Sequence, residues 1–194
     1  MARRHGLFGV VVARALTGVL LVGGASRRFG TPKALVRVGD ETLAERGHRV
    51  LLEACDEVLV IGKTDELDLP FEVIDDGVEA RVPMAGVMRA LRLATHEIVV
   101  CLPVDCPLIS SVPLRALGEA CRDAAVHSRG PLPGAWAKSA LPVLERCFAV
   151  GDYGLKHAYS ELDVARPALD ERLLADADTP DELLALVTRG VVLG

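Results

Sequence analysis

LLVGGASRRFGTPKAL, residues 20–35, runs from a buried strand into a glycine pair and then into two arginines and a lysine. Val19 to Val22 form the unbroken apolar run expected of a strand covered on both faces. Gly23 and Gly24 let the backbone turn tightly and approach a ligand with no Cβ in the way. Arg27, Arg28 and Lys33 then crowd cations around backbone N–H groups left without partners, a combination suited to a polyphosphate. The plainer reading, a strand, a turn and a solvated basic loop, is common in α/β proteins and stays open on these residues alone.

Spacing excludes two familiar phosphate motifs. A P-loop needs GxxxxGK followed by Ser or Thr, but Pro32 precedes Lys33 and Ala34 follows it. A dinucleotide fingerprint needs GxGxxG, and Gly23-Gly24 does not fit that pattern. Pro32 also biases Thr31 away from helix, which predicts Lys33 on an extended arm rather than in the first turn of a helix.

The chain has 194 residues, enough for one domain that buries about 70% of its unfolded surface. A hydrophobic share of 51% with only 4% aromatic residues suits an α/β domain with a mainly parallel central sheet and helices on both faces. The net charge of -5 argues against nucleic acid as a partner, since backbone affinity is mostly cationic. Cys55, Cys101, Cys106, Cys121 and Cys147 are odd in number and show no CxxC spacing, which points to reduced thiols in a cytoplasmic protein. Residues 1–24 imitate a leader, with a basic start and apolar stretches, yet Arg14 splits the apolar run and its second half is needed as the first strand. Residues 1–14 are read as an N-terminal extension and 15–194 as the domain. With no run of about 20 uncharged apolar residues, no membrane span is expected.

Helical spacing after Thr42 groups Leu43, Gly47, Val50, Leu51 and Ala54 on one face. Strands are predicted at 57–61, 71–74, 98–102 and 124–127, with an edge strand near Val164. Helices are predicted at 84–94, 111–121, 137–148 with an interruption at Pro142, and 155–162. Such alternation implies βαβ units. The last helix carries a capping box, Thr179 with Glu182, Pro180 at its first position and Gly190 as its stop.

PVDCPLI places Asp105 just beyond the strand at 98–102, on the sheet edge where ligands bind in open α/β folds. A lone Asp after a strand is also an ordinary turn residue. In LLADADTPDEL, Asp176 and Asp178 alternate before the final helix and share one face if that segment is extended; Asp178 also suits a helix N-terminus. Asp75 and Asp76 form a third acidic site. One or two carboxylates suffice for Mg²⁺ already bound to phosphates. The histidines lack ligand spacing, and Cys106 has no base nearby to make it a nucleophile.

GGASRRFGTPKAL, VPMAGVMRAL, PVDCPLI and DADTPDEL, in this order and spacing, resemble the molybdenum cofactor guanylyltransferase (MobA-like) nucleotidyltransferases over residues 17–186. The resemblance implies a single Rossmann-like α/β domain of the nucleotide-diphosphosugar transferase type. It also implies an enzyme that transfers a nucleoside monophosphate from NTP to a phosphorylated acceptor and releases pyrophosphate. Leu21, Val22 and Gly23 take the family's base-binding positions, with Gly24 beside them, and Arg28 and Lys33 the triphosphate positions. Asp76 falls on a nucleotide-contacting Asp, Asp105 on the magnesium-binding Asp and Asp178 on a second metal position. The catalytic set implied is Arg28, Lys33 and Asp105, with Mg²⁺ as cofactor.

LVGG in place of the cytidylyl LAAG leaves room for a purine and favours GTP, with a phosphorylated pterin of the molybdopterin type as acceptor. Val22 for Ala, Ile61 for a nucleotide-contacting Asn, the TPK tripeptide and Asp178 lean towards CTP. A nucleotide-binding accessory protein without turnover is the alternative of a different class. The chemistry agrees with transfer: two anions must meet, so the barrier falls through charge neutralisation rather than a covalent intermediate.

Overall fold

β1 (Leu16–Leu21) is buried along its whole length, and its side chains divide alternately between two cores. Leu16 and Leu20 face one, Val19 and Leu21 the other. This division is why an apolar run without alternation makes a strand here, since neither face meets water. The structure is a computed structural model and describes residues 13–23, 29–63 and 67–192.

A short ribbon, β2 (Arg37–Val38) with β3 (Glu41–Thr42), follows β1. The remaining strands are β4 (Glu57–Gly62), β5 (Ile74–Asp75), β6 (Ile98–Pro103), β7 (Ala124–Val126), β8 (Gly134–Ala137) and β9 (Val164–Ala165). Among the described residues they join β1 in a seven-stranded sheet of order β5-β4-β1-β6-β8-β7-β9. β1 is parallel to both β4 and β6, and only β8 runs against its neighbours. The mainly parallel sheet is therefore as expected.

Helices cover both faces. α1 (Leu43–Ala54), α3 (Ser111–Ala120) and α5 (Pro180–Val192) pack Leu51, Leu114, Leu117 and Leu183 with Leu16 and Leu20. α2 (Pro83–Leu93) and α4 (Leu141–Ala149) pack Met84, Val87, Leu91 and Leu144 on the opposite side. α1 begins at a complete capping box between Thr42 and Glu45, which satisfies two N–H groups that would otherwise lack partners.

Several elements differ from expectation. β8 takes Ala137 away from the helix expected at 137–148, so α4 starts at Leu141. Pro142 then lies in the first turn of α4, where its missing N–H interrupts nothing. The third strand is confined to Ile74–Asp75. Residues 155–162 hold a 3-10 helix, Leu155–Glu161, in place of an α-helix. Gly190 lies inside α5 rather than beyond its end. Lys33 opens a short 3-10 helix, Lys33–Leu35, instead of sitting on an extended arm. Pro32 is extended (φ -54°, ψ 128°) and its carbonyl accepts the Leu35 N–H, so the helix begins immediately after it.

Residues 1–12 of the expected extension lie outside the described residues, while Arg14 donates to the Cys121 carbonyl at 2.6 Å. No described helix is long and apolar enough to cross a membrane.

Candidate active site

The carboxyl ends of β1, β4 and β6 open into a cleft of about 740 Å³. The three strand ends are joined beyond their ladders: the Val22 N–H donates to the Ile61 carbonyl at 2.9 Å and the Val104 N–H to the Leu21 carbonyl at 3.1 Å. Leu21, Val22 and Gly23 thus form a fixed floor, with Gly62 beside them. A Cβ on Gly62 would lie 2.7 Å from Val22 Cγ2 and 2.9 Å from the Gly23 nitrogen, so only glycine allows this approach. Gly24 and Arg28, expected at the base and triphosphate, lie outside the described residues.

Lys33, Asp105 and Asp178 come together at one point. Lys33 Nζ donates to Asp105 Oδ2 at 3.0 Å and to Asp178 Oδ1 at 2.8 Å. The turn after β6 sets Asp105, whose backbone carbonyl accepts the Ala177 N–H at 2.9 Å and so fastens the segment that carries Asp178. Asp178 is not the cap of α5. Thr179 Oγ1 accepts the Glu182 N–H at 3.2 Å, and Glu182 Oε2 accepts from Asp178 and Thr179 N–H groups at 2.7 and 3.2 Å. The Asp178 carboxylate is left facing the cleft. Asp176, two residues earlier, lines it too, as alternation predicts.

Electrostatics at this point are strained by burial. For Lys33, burial favours the neutral amine, but bonds and charges from Asp178 and Asp105 outweigh it and raise the ammonium above its ordinary value. For Asp105, burial raises the carboxyl above the ordinary range, assisted by Asp176 and opposed by Lys33. The pair thus moves in one direction for opposite reasons: the lysine stays charged, and Asp105 carries a desolvated charge that a further cation would relieve. The neighbouring Cys106 thiol is pushed well above its ordinary value by burial and by the Asp105 and Asp176 charges, which removes it as a nucleophile.

Asp76 stands apart from that cluster on the β4 side. It is only 9% exposed, and its Oδ1 accepts from Lys63 Nζ at 2.5 Å and from the Val78 N–H at 3.1 Å. Among the described residues nothing donates to its other oxygen. Asp75 accepts the Gly77 N–H at 2.7 Å and is the ordinary turn residue of the two. Lys63, Arg81, His127 and Arg129 also line the cleft and were not singled out in the sequence. A signal existed for Lys63, which follows β4 as Gly23 follows β1. His127 and Arg129 sit beyond β7 in a loop with no phosphate pattern.

A glycine-floored cleft with paired cations and carboxylates, at the carboxyl edge of a sheet covered on both faces, is the build of a mononucleotide-handling α/β domain. The family model described as MobA-like NTP transferase domain matches residues 18–167, and the chain belongs to that family. A probable molybdenum cofactor guanylyltransferase from Chloroflexus aggregans is 30% identical over 190 residues, covering 87% of this chain and 91% of the relative. One from Opitutus terrae is 35% identical over 162 residues, covering 77% and 80%. Molybdopterin-guanine dinucleotide biosynthesis protein A from Archaeoglobus fulgidus superposes with a TM-score of 0.77 at 22% identity, covering 91% and 99%, and shares the fold.

Proposed function

We propose that this protein transfers GMP from GTP to the phosphate of a molybdopterin-type acceptor and releases pyrophosphate. One observation carries the reading: Lys33 is held between Asp105 and Asp178 at the mouth of a glycine-floored cleft. The Chloroflexus and Opitutus relatives, both named as probable molybdenum cofactor guanylyltransferases, support the same substrate pair.

In this reading Leu21, Val22, Gly23 and Gly24 lie against the base, and Asp76, steadied by Lys63, offers its open oxygen to the nucleotide. Lys33 and Arg28 neutralise the triphosphate. An acceptor phosphate oxygen forms the new bond to the α-phosphorus as the bond to the β-phosphate oxygen breaks, and its electron pair leaves with pyrophosphate. No general base is required, because a phosphomonoester is already ionised near neutral pH. Catalysis is positioning and charge neutralisation.

Magnesium fits the residues present. Asp105 and Asp178 already hold one cationic nitrogen at 3.0 and 2.8 Å, and two carboxylates are what Mg²⁺ carried by a triphosphate uses. When bound there, Mg²⁺ supplies charge neutralisation across the phosphates. Five unpaired cysteines agree with a cytoplasmic setting.

The test is a thermal-shift panel of nucleotides with Mg²⁺, followed by pyrophosphate release with molybdopterin. Selective stabilisation by GTP and release only with GTP are expected. Selectivity for CTP would reassign the base, and nucleotide binding without release across all four NTPs would make the protein an accessory module.

A further inference from the structure

The loop 127–133 between β7 and β8 lines the cleft and is braced from inside. His127 is 6% exposed; its Nε2 donates to the Leu132 carbonyl at 2.8 Å, and its Nδ1 accepts the Arg129 N–H at 3.3 Å. A carbonyl only accepts and an N–H only donates, so one neutral tautomer satisfies both bonds. At the loop's far end a Cβ on Gly134 would collide with the Pro131 carbonyl oxygen, which makes the close return a glycine-only feature. The backbone under Arg129 is therefore fixed, while the residue itself is exposed and lines the cleft.

Among the cations of this cleft, Arg129 is distinct. Lys33 is taken by Asp105 and Asp178, Lys63 by Asp76, and Arg81 is likewise engaged. The Arg129 guanidinium has no hydrogen bond or ion pair among the described residues. It sits on the connection between β7 and β8, on the side of the sheet beyond β6, whereas the floor at Val22 and Gly62 lies at the ends of β1 and β4. Asp105, Asp176 and Asp178 line the same cleft. A doubly charged acceptor phosphate that enters here meets three carboxylates. An open guanidinium is the group suited to receive it, because its planar fork binds phosphate through two parallel hydrogen bonds.

We propose that Arg129 binds the phosphomonoester of the acceptor and so aligns it with the α-phosphorus of the nucleotide held across the cleft. The assignment rests on the transferase reading given above. It adds a residue for the second substrate, where the glycine loop, Asp76 and Lys33 serve the first.

Arg129→Gln should raise the KM for molybdopterin by about tenfold or more, the value of a lost charged hydrogen bond, and leave the KM for GTP and the melting temperature unchanged. Arg129→Lys should recover part of the acceptor KM, since the charge returns without the fork. An unchanged acceptor KM in Arg129→Gln overturns the proposal and leaves the transferase reading standing. If the wild-type protein releases no pyrophosphate from GTP and molybdopterin, that reading fails instead, and Arg129 is judged by binding. Inorganic phosphate is then titrated calorimetrically into protein saturated with Mg²⁺ and α,β-methylene-GTP. Binding weakened about tenfold in Arg129→Gln supports the site; equal binding in both proteins, or none to the wild type, overturns it.

Discussion

Lys33 and Asp178 are separated by 145 residues, yet Nζ and Oδ1 meet at 2.8 Å. Asp105 completes the contact at 3.0 Å from the same nitrogen. One ammonium therefore ties the 3-10 helix that Lys33 opens to the end of β6 and to the approach of α5. In the proposed reaction the same two carboxylates would hold a phosphate-borne metal, so ammonium and metal would compete for one set of oxygens, and an arriving triphosphate would offer Lys33 a different anion.

Lys33→Met should lower kcat by about two to three orders of magnitude, the usual cost of removing one group that stabilises developing charge. Mn²⁺ binding in the absence of nucleotide should become tighter, because Asp105 and Asp178 lose their ammonium. Steady-state pyrophosphate release measures the first effect and Mn²⁺ electron paramagnetic resonance the second. An unchanged rate removes Lys33 from the mechanism.

Asp105→Asn separates stability from function. Burial holds the Asp105 carboxyl above its ordinary range, so the native state binds its proton more tightly than the unfolded chain does. Stability from this group is full below the unfolded pKa and is lost as pH rises through the higher folded value. The variant lacks that loss, and its melting temperature at neutral pH should equal or exceed that of the wild type. The Mg²⁺ concentration for half-maximal rate should rise. Thermal melts across the acidic range and a metal titration test both; an unshifted titration moves the metal position elsewhere.

Asp105 is legible because it lies just past an apolar strand, where a parallel sheet presents its ligand edge, and Lys33 because it joins two arginines after the glycine pair that follows β1. Asp178 needed more than spacing: nothing local distinguishes a cleft carboxylate from a helix-favouring one, and only the fold brings it to Lys33. β8 was illegible for a compositional reason. Gly134, Ala135 and Ala137 lack the branched side chains that mark strands, and the missing Cβ of Gly134 is what lets the loop return close to the Pro131 carbonyl. With β8 unseen, that loop had no placement at the cleft, so Arg129 carried no signal. Gly190 misleads because glycine commonly ends a helix, whereas α5 runs on to Val192.

Cys106, adjacent to Asp105, should be inert despite its position. Burial and two nearby carboxylates keep it a thiol, while burial pushes the Cys55 and Cys121 thiols up to about 12. Native protein exposed to iodoacetamide at mildly alkaline pH should carry no label at these three positions by peptide mass spectrometry, whereas unfolded protein should carry it at all three. Cys106→Ala should retain kcat within about twofold, as a charge-neutralising mechanism requires. A large loss would revive a covalent route.

Gly62 and Gly86 both line the cleft, and alanine at each tests whether the floor is built from backbone. A Cβ at Gly86 would meet Leu21 Cδ2 at 2.7 Å, the far end of a flexible side chain. A Cβ at Gly62 would meet Val22 Cγ2 at 2.7 Å together with the Gly23 nitrogen at 2.9 Å and the Val22 carbonyl carbon at 3.1 Å. Backbone at the end of a central strand has little room to yield, so Gly62→Ala should cost about 1–3 kcal/mol as an overpacked site does. In the proposed reading the displaced atoms would face the nucleotide, so the KM for GTP should rise while Gly86→Ala leaves it near the wild-type value. Denaturant unfolding and nucleotide titration of the two variants make the comparison. Equal effects at both positions would mean that side chains, rather than the Val22–Gly23 backbone, shape the nucleotide floor.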